Sequence, residues 1–214
     1  MSVTLDDITR YRIVPVVVLN DAANAPGLGD ALIAGGLPIA EVTFRTAAAA
    51  DSIRTLVARG DLLVGAGTVR SVAQVDQAVE AGAQFVVSPG LRGDIVRRAQ
   101  ELGVPVLPGA VTPTEILAAE ELGIRTVKFF PANVYGGAAA LKGLSAPFGD
   151  INFMPTGGVS AANLAEFLSL PCVPAVGGSW MVPAKAVDNG EFDRVAALTR
   201  QAVELVTRIT EGEQ

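Results

Sequence analysis

The sequence predicts an α/β protein, a small (β/α)8 TIM barrel that forms a single domain over residues 1–214. About eight short β-branched runs alternate with helical stretches, and no linker or low-complexity tract divides the chain. Strand and helix repeated in this way are typical of a closed parallel barrel. An open doubly wound sheet is the alternative, but it rarely holds eight such short units, and no Gly-x-Gly-x-x-Gly follows the first strand.

The predicted strands come at short intervals along the whole chain. They cover residues 13–19, 39–44, 62–66, 85–88, 105–108, 126–130, 152–155 and 175–176. Helices are predicted over 71–81, 92–102 and 112–122, because each stretch opens with a polar residue and closes at a glycine, namely Gly82, Gly103 or Gly123. Flanking helices near residues 5–11 and 191–209 are expected to cover the outside of the barrel.

Composition excludes several classes of function. Hydrophobic residues make up 50% of the chain and charged residues 18%, which predicts a compact globule. A net charge of −6 without any Lys/Arg block argues against nucleic-acid binding. No apolar run is long enough to cross a membrane. The first residues are acidic and do not have the order of a secretory signal, and the single cysteine, Cys172, cannot form an internal disulfide, so the cytoplasm is expected. The absence of histidine excludes Ser-His-Asp or Cys-His catalysis and any His-bearing metal site, so no metal is expected.

Lys128 is the only charged side chain in the run Thr-Val-Lys-Phe-Phe-Pro at 126–131, inside a predicted buried strand. Burying an ammonium group is unfavourable, and an apolar environment leaves a neutral amine able to attack a carbonyl and form a Schiff base. The alternative is a lysine at a strand end that reaches solvent or a carboxylate. This residue alone does not decide between the two.

Glu41, Thr43 and Arg45 share one face of their strand, because side chains alternate along a strand. The apolar residues between them belong under the helices, so the polar face points into the barrel. Active sites of such barrels lie at the carboxyl ends of the strands, and there Lys128 can share a cavity with Glu41 and Arg45. Glu41 is the candidate proton-transfer residue; the alternative is an ion pair with Arg45 or Lys128 that only neutralises buried charge.

Two glycine pairs after the last strands are typical of phosphate cradles. Gly157 and Gly158 precede a predicted helix, and Gly177-Gly178-Ser179-Trp180 follows the last strand. Barrels often bind phosphate with backbone N–H groups of these loops, and glycine allows close approach. Thr156 and Ser179 offer hydroxyl groups nearby. Ordinary turns also contain paired glycines, so a single such loop is weak support and two are moderately specific.

Three further residues are candidates for the pocket. Thr68 follows the glycine-rich turn Gly65-Ala-Gly and can add a hydroxyl beside the Arg45 guanidinium, whose planar fork matches a carboxylate. Pro89 and Phe130 are expected to form rigid, partly apolar walls that exclude water. In the alternative interpretation these segments only end strands.

These segments together resemble the bacterial 2-keto-3-deoxy-6-phosphogluconate (KDPG) aldolases, class I enzymes that also accept 4-hydroxy-2-oxoglutarate. The resemblance covers nearly the whole chain. It is carried by Arg12-Ile-Val-Pro-Val, Glu41-Val-Thr-Phe-Arg45-Thr46, Val64-Gly-Ala-Gly-Thr-Val69, Gly82-Ala-Gln-Phe85, Ser88-Pro-Gly-Leu91, Val127-Lys-Phe-Phe-Pro-Ala132, Pro155-Thr-Gly-Gly-Val159 and Gly177-Gly-Ser-Trp180.

The resemblance implies roles for the candidate residues. Lys128 would be the imine lysine, Glu41 the proton-transfer residue, and Arg45 with Thr68 the pocket for the pyruvyl carboxylate. The phosphate end would be formed by Gly157, Gly158, Gly178 and Ser179, while Thr156 and Ser179 favour the gluconate-type over the galactonate-type substrate. The family's pattern is not followed at Arg12 and Asn133. Asn133 lies just after the lysine strand, where many relatives carry an acidic residue, and this departure affects the expected fine specificity but not the chemistry.

The reaction implied by the resemblance is the reversible cleavage of a phosphorylated 2-keto acid into pyruvate and glyceraldehyde 3-phosphate, in a homotrimer and without a metal or other cofactor. Two other classes remain open from the residues alone. One is a phosphate-binding barrel with isomerase or epimerase activity and Glu41 as base, and the other is a catalytically silent metabolite-binding barrel. Only the aldolase needs a covalent lysine.

Overall fold

A computed structural model describes residues 3–212 and contains the eight predicted strands. Their bounds are β1 Ile13–Val17, β2 Ile39–Thr43, β3 Leu63–Gly67, β4 Phe85–Val87, β5 Val106–Leu107, β6 Thr126–Phe129, β7 Asn152–Pro155 and β8 Val176–Gly178. β5-β4-β3-β2-β1-β8 form one sheet, and β6-β7 pair separately. Parallel bridges from Gly109 to Lys128 and from Thr156 to Gly177 join the two sheets at both edges. The predicted closed barrel is confirmed, with the strands in chain order around it.

The helices alternate with the strands and cover the barrel. They are α1 Leu5–Thr9, α2 Ala25–Ala34, α3 Ala49–Val57, α4 Val72–Glu80, α5 Gly93–Glu101, α6 Pro113–Glu121, α7 Gly137–Ser145, α8 Leu164–Leu168, α9 Ala184–Asp188 and α10 Phe192–Glu211. The predicted helices 71–81, 92–102 and 112–122 correspond to α4, α5 and α6. Side chains of Ser71 and Thr112 cap the first and third of these, as their polar character predicts.

Two boundaries differ from the sequence prediction for a physical reason. The last strand was predicted over 175–176, with Gly177 and Gly178 in a loop, whereas both glycines belong to β8 and pair with β1. Added Cβ atoms there would overlap the Thr156 hydroxyl and the Trp180 ring, so glycine is in the strand because neighbouring side chains occupy the space. β1 ends at Val17 and not at Leu19. Beyond that point, the hydroxyl groups of Thr43 and Thr46 donate hydrogen bonds to the carbonyls of Val17 and Leu19 in place of strand pairing.

Arg12 precedes β1 and connects this end of the barrel to the segment before β8. Its φ of 63° lies in the left-handed region, which is uncommon for a residue with a side chain. The half-buried guanidinium donates hydrogen bonds to the carbonyl of Leu168, at the end of α8, and to those of Val173 and Pro174, in the connection from α8 to β8. Burial lowers the pKa of Arg12 from its ordinary value. The departure at this position is therefore a structural tie between the first and last strands.

The outer layer buries apolar faces against the strands. Phe129 and Phe153, on the neighbouring strands β6 and β7, are fully buried and meet edge to face with ring centroids 6.4 Å apart. α10 packs against α2, where Gly35 gives room to Thr199. Within residues 3–212, no helix combines the length and the apolar character needed to cross a membrane.

Candidate active site

Lys128 lies on β6 with its backbone hydrogen-bonded on the β5 side. Its N–H donates to Pro108 O, and its carbonyl accepts from the N–H of Ala110, both at 2.9 Å. The side chain is only 6% exposed. Its Nζ lies 3.0 Å from Glu41 Oε1 and 5.4 Å from the centre of the Phe130 ring. The amine is thus buried between one carboxylate and one aromatic face.

Glu41 comes from β2, on the opposite side of the barrel from β6. The residue is 0% exposed, and Oε1 accepts a hydrogen bond from Lys128 Nζ. Oε2 is buried without a hydrogen-bond partner among the described residues. The sequence predicts Glu41 in the cavity beside Arg45, whereas the carboxylate is fully buried against Lys128 Nζ and is not among the residues that line the cavity. Of the two ion-pair partners that the sequence left open, the structure gives Lys128.

A cavity of about 430 Å³ opens at the carboxyl ends of the strands, with Lys128 in its wall. This size is within the range of small-molecule sites, which is about 300–1,000 Å³. The other predicted binding residues all line it: Arg45, Thr68, Pro89, Phe130, Thr156, Gly157, Gly158, Gly178 and Ser179. One cavity therefore collects residues from the ends of all the strands except β5.

The polar groups of the cavity differ in depth. Lys128 and Thr156 are buried, whereas Arg45 and Ser179 are exposed. Arg45 makes no ion pair within residues 3–212, so its guanidinium is available to an anion. The arrangement places an amine at depth and hydrogen-bond donors at the opening, which suits an acidic ligand that reacts at its buried end.

The loop after β7 presents backbone donors. Gly157 and Gly158 have φ of 89° and 79°, which only glycine adopts readily. Within the part of the chain that the structure describes, their N–H groups donate to no acceptor. α8 begins only at Leu164, and Asn163 Oδ1 takes the N–H of Ser160, so the glycine pair lies before the helix and not at its N-terminus. Asn133 packs against Gly158 from the neighbouring loop.

Several lining residues were missed by sequence reasoning. Val16 and Val18 come from β1 and its extension, and their apolar character does not distinguish them from core residues. Thr43 was predicted to point inward but was not assigned to the pocket; its hydroxyl donates to Val17 O at 2.8 Å. Val159 and Gly177 belong to segments that the sequence singled out but were not assigned to the pocket, and the remaining missed residues are Val182, Pro183 and Ala184. Among residues 3–212, no group of three or more His, Cys, Asp or Glu could hold a metal ion.

A protein-family model described as KDPG and KHG aldolase matches residues 5–198. The chain belongs to this family. Its relatives include the 2-dehydro-3-deoxy-phosphogluconate aldolase of Treponema pallidum, 46% identical over 207 residues that cover 96% of this chain and 99% of the relative. The predicted family is confirmed over nearly the whole chain.

Solved structures of family members have the same barrel. The KDPG aldolase of Legionella pneumophila, with pyruvate captured as a covalent carbinolamine intermediate, is 35% identical with a TM-score of 0.90, covering 93% of this chain and 98% of that one. The enzyme of Zymomonas mobilis with 3-phosphoglycerate is 37% identical with a TM-score of 0.87, covering 94% and 96%. The fold of this aldolase family member thus agrees with that of experimentally solved relatives.

Proposed function

We propose that the protein is a class I aldolase that cleaves 2-dehydro-3-deoxy-6-phosphogluconate into pyruvate and glyceraldehyde 3-phosphate through an imine on Lys128. The observation that carries the proposal is a buried primary amine in a cavity wall, 3.0 Å from a buried carboxylate. Imine chemistry needs such a nucleophile. The family also includes aldolases for 4-hydroxy-2-oxoglutarate, abbreviated KHG, so the proposal extends to the cleavage of this compound to pyruvate and glyoxylate.

The reaction follows from the chemistry of a free amine. Lys128 Nζ attacks the C2 carbonyl carbon, and the resulting carbinolamine loses water to give the imine. When the C3–C4 bond breaks, its electron pair moves toward the protonated imine, while the C4 hydroxyl gives up its proton and becomes the aldehyde of glyceraldehyde 3-phosphate. Protonation of the remaining enamine at C3 gives the pyruvyl imine. Hydrolysis of that imine releases pyruvate and restores the amine.

Glu41 is the proposed carrier of these protons. Its Oε1 contacts Lys128 Nζ, so a proton can pass between the carboxylate and groups bonded to that nitrogen. Its Oε2 has no partner within residues 3–212 and can hold a proton without losing a hydrogen bond. Among the described residues, the cavity wall itself contains no carboxylate, so Glu41, which contacts Lys128 Nζ from outside the wall, is the nearest candidate. The pairing with Lys128 also neutralises buried charge, and the two roles are compatible.

The substrate is proposed to lie between two anion sites. Arg45 and Thr68 bind the pyruvyl carboxylate, because a guanidinium and a hydroxyl line the cavity at the ends of β2 and β3. The phosphate lies against Gly157, Gly158, Gly178 and Ser179, where the N–H groups of Gly157 and Gly158, which have no acceptor within residues 3–212, and the Ser179 hydroxyl are available. Thr156 is proposed to contact the carbon chain of the substrate between its carboxylate and its phosphate, which supports the gluconate-type substrate. Pro89 and Phe130 are the proposed walls that limit water.

The domain organisation, the assembly and the cellular location are also proposals. We propose a single domain over residues 1–214, a homotrimer and a cytoplasmic location. The closed ring of strands supports the single domain, and the family resemblance supports the trimer. Sedimentation of the purified protein would test the assembly.

Borohydride trapping with pyruvate tests the proposed function. Reduction converts only an imine into a stable amine, so we expect a single pyruvyl adduct, at Lys128. The exposed Lys142 and Lys185 are internal controls, and an adduct there or none at all would reject the proposal. An isomerase with Glu41 as base would turn over a substrate without trapping pyruvate. Comparing cleavage of the gluconate and galactonate substrates then tests the assigned sugar acid.

A further inference from the structure

Gly67, the last residue of β3, faces the carboxylate of Glu41 inside the barrel. A Cβ added to Gly67 would lie 2.6 Å from Glu41 Cγ and 2.8 Å from Cδ, closer than non-bonded carbon atoms approach. In the ladder between β2 and β3, Gly67 is the register partner of Thr43. Glu41 lies two residues before Thr43 on the same face, and its side chain extends over the Cα of Gly67. The carboxylate occupies the space that any other residue would fill.

The backbone does not require glycine at this position. Unlike Gly157 and Gly158, Gly67 has a φ outside the left-handed region. It lies within a strand, where glycine is less favourable than other residues because it loses more conformational freedom on folding. The close approach of the Glu41 side chain is the feature of the structure that accounts for a glycine here.

The position of the carboxylate matters because few contacts hold it. The residue is fully buried, and within residues 3–212 its side chain makes one hydrogen bond, from Lys128 Nζ to Oε1. We propose that Gly67 is a positioning residue for the aldolase reaction. Because it has no side chain, the Glu41 carboxylate can occupy the space above it and stay within proton-transfer reach of Lys128. The inference rests on the proposed function of these two residues.

Gly65 provides a matched control on the same strand and the same face. It lies two residues before Gly67 and is also buried, and the three atoms nearest to a Cβ added to it belong to the ring of Phe85. Gly65 is the register partner of Glu41, so it also controls for a change on the strand next to this residue. Gly65→Ala and Gly67→Ala introduce the same atom into the barrel interior, and Gly67→Ala is the variant that places it against the carboxylate.

The first experiment measures kcat per folded molecule and KM for cleavage by the two variants. A misplacement of about 1 Å can cost roughly 100-fold in rate, so we expect kcat of Gly67→Ala to fall about 10–100-fold, with KM nearly unchanged. Gly65→Ala should keep kcat close to that of the unmodified protein. Equal losses in both variants, or an unchanged kcat in Gly67→Ala, would overturn the inference. A rise in KM alone would also overturn it, because that pattern assigns the effect to the neighbouring Thr68.

The second experiment combines Gly67→Ala with Glu41→Ala. Alanine removes Cγ, Cδ and both carboxylate oxygens of Glu41, which include the atoms that the added Cβ would overlap. The double variant should therefore have the melting temperature and the kcat of Glu41→Ala alone, since the steric conflict is gone. Losses that multiply, or a double variant that melts well below Glu41→Ala, would reject the steric argument. This arm remains decisive if Gly67→Ala does not fold.

Trapping separates this inference from the function on which it rests. If the unmodified protein forms no pyruvyl adduct at Lys128, the aldolase proposal fails. If it forms the adduct and Gly67→Ala cleaves substrate normally, only the role of Gly67 fails. We expect the adduct in both proteins, with slower formation in Gly67→Ala, because the nucleophile is intact while its carboxylate is displaced.

Discussion

Glu41→Gln removes a base from the site and keeps the shape of the side chain. The carboxylate lies 3.0 Å from Lys128 Nζ, and Coulomb's law with an effective dielectric constant of about 20 gives roughly 5–6 kcal/mol at that separation. Breaking a buried pair by removing one charge costs about 3–5 kcal/mol of stability. A general acid-base group contributes about 10²–10⁴-fold to the rate. We therefore expect a lower melting temperature together with a fall of kcat on that scale.

The assay is kcat per folded molecule beside a thermal melt, because stability and chemistry must be separated. Each kcal/mol corresponds to roughly 2–4 °C for a domain of this size, so the melting temperature should fall by about 10 °C. Lys128→Arg is the matched control: it retains a cation beside Glu41 and removes the nucleophile, so it should melt near the unmodified protein without trapping pyruvate. A near-native kcat in Glu41→Gln, with the melting temperature lowered, would refute the proton-transfer role and leave Glu41 as a charge partner.

Two further predictions concern stability. Arg12→Ala should lower the free energy of unfolding by about 2–3 kcal/mol because bonds from a charged donor are lost. Arg12→Gly should lower it by about 1 kcal/mol less because glycine adopts the left-handed φ without strain, and equal denaturant midpoints would contradict this. Burial alone would raise the pKa of Glu115, but hydrogen bonds from the Val111 N–H and from the hydroxyl and N–H of Thr112 outweigh it and lower the pKa. This contribution is present at neutral pH and is lost as pH falls below the ordinary value of 4.5. Urea unfolding should therefore show Glu115→Gln to be less stable at neutral pH, with the difference shrinking toward about pH 3; a constant difference would contradict it.

The fold was predictable because its signals are local. β-branched runs and capped helices recur at short intervals, and each reports on its own segment without knowledge of the rest. β8 is one exception, because its glycines resemble a turn until the Thr156 hydroxyl and the Trp180 ring are known to pack on them. The Thr156 contact comes from the end of the preceding strand, β7, and no local pattern around Gly177 contains it.

Alternation along β2 predicted the inward face of the site but not its pairing. Glu41 lies within β2, whereas Arg45 lies in the turn that follows the end of the strand at Thr43, so alternation along the strand does not place its guanidinium. Lys128 comes from the opposite side of the barrel, and its long side chain reaches across to the carboxylate. The ion pair therefore joins residues far apart in the chain, and not the two that are close in sequence. The apolar lining from Val16 and Val182 was missed for another reason, since valine in a cavity wall has the same sequence signature as valine in the core.

The glycines of this barrel show why a residue type alone does not give a role. Gly157 has a left-handed φ and would strain any side chain, whereas Gly67 has an ordinary strand conformation and is in contact with a carboxylate. Both occur in glycine-rich segments at the ends of strands that lead into the cavity, and the sequence alone does not distinguish their roles. In the first case substitution should disturb the loop, and in the second it should displace Glu41 from Lys128. The neighbouring atoms, and not the glycine itself, determine which of these a mutation tests.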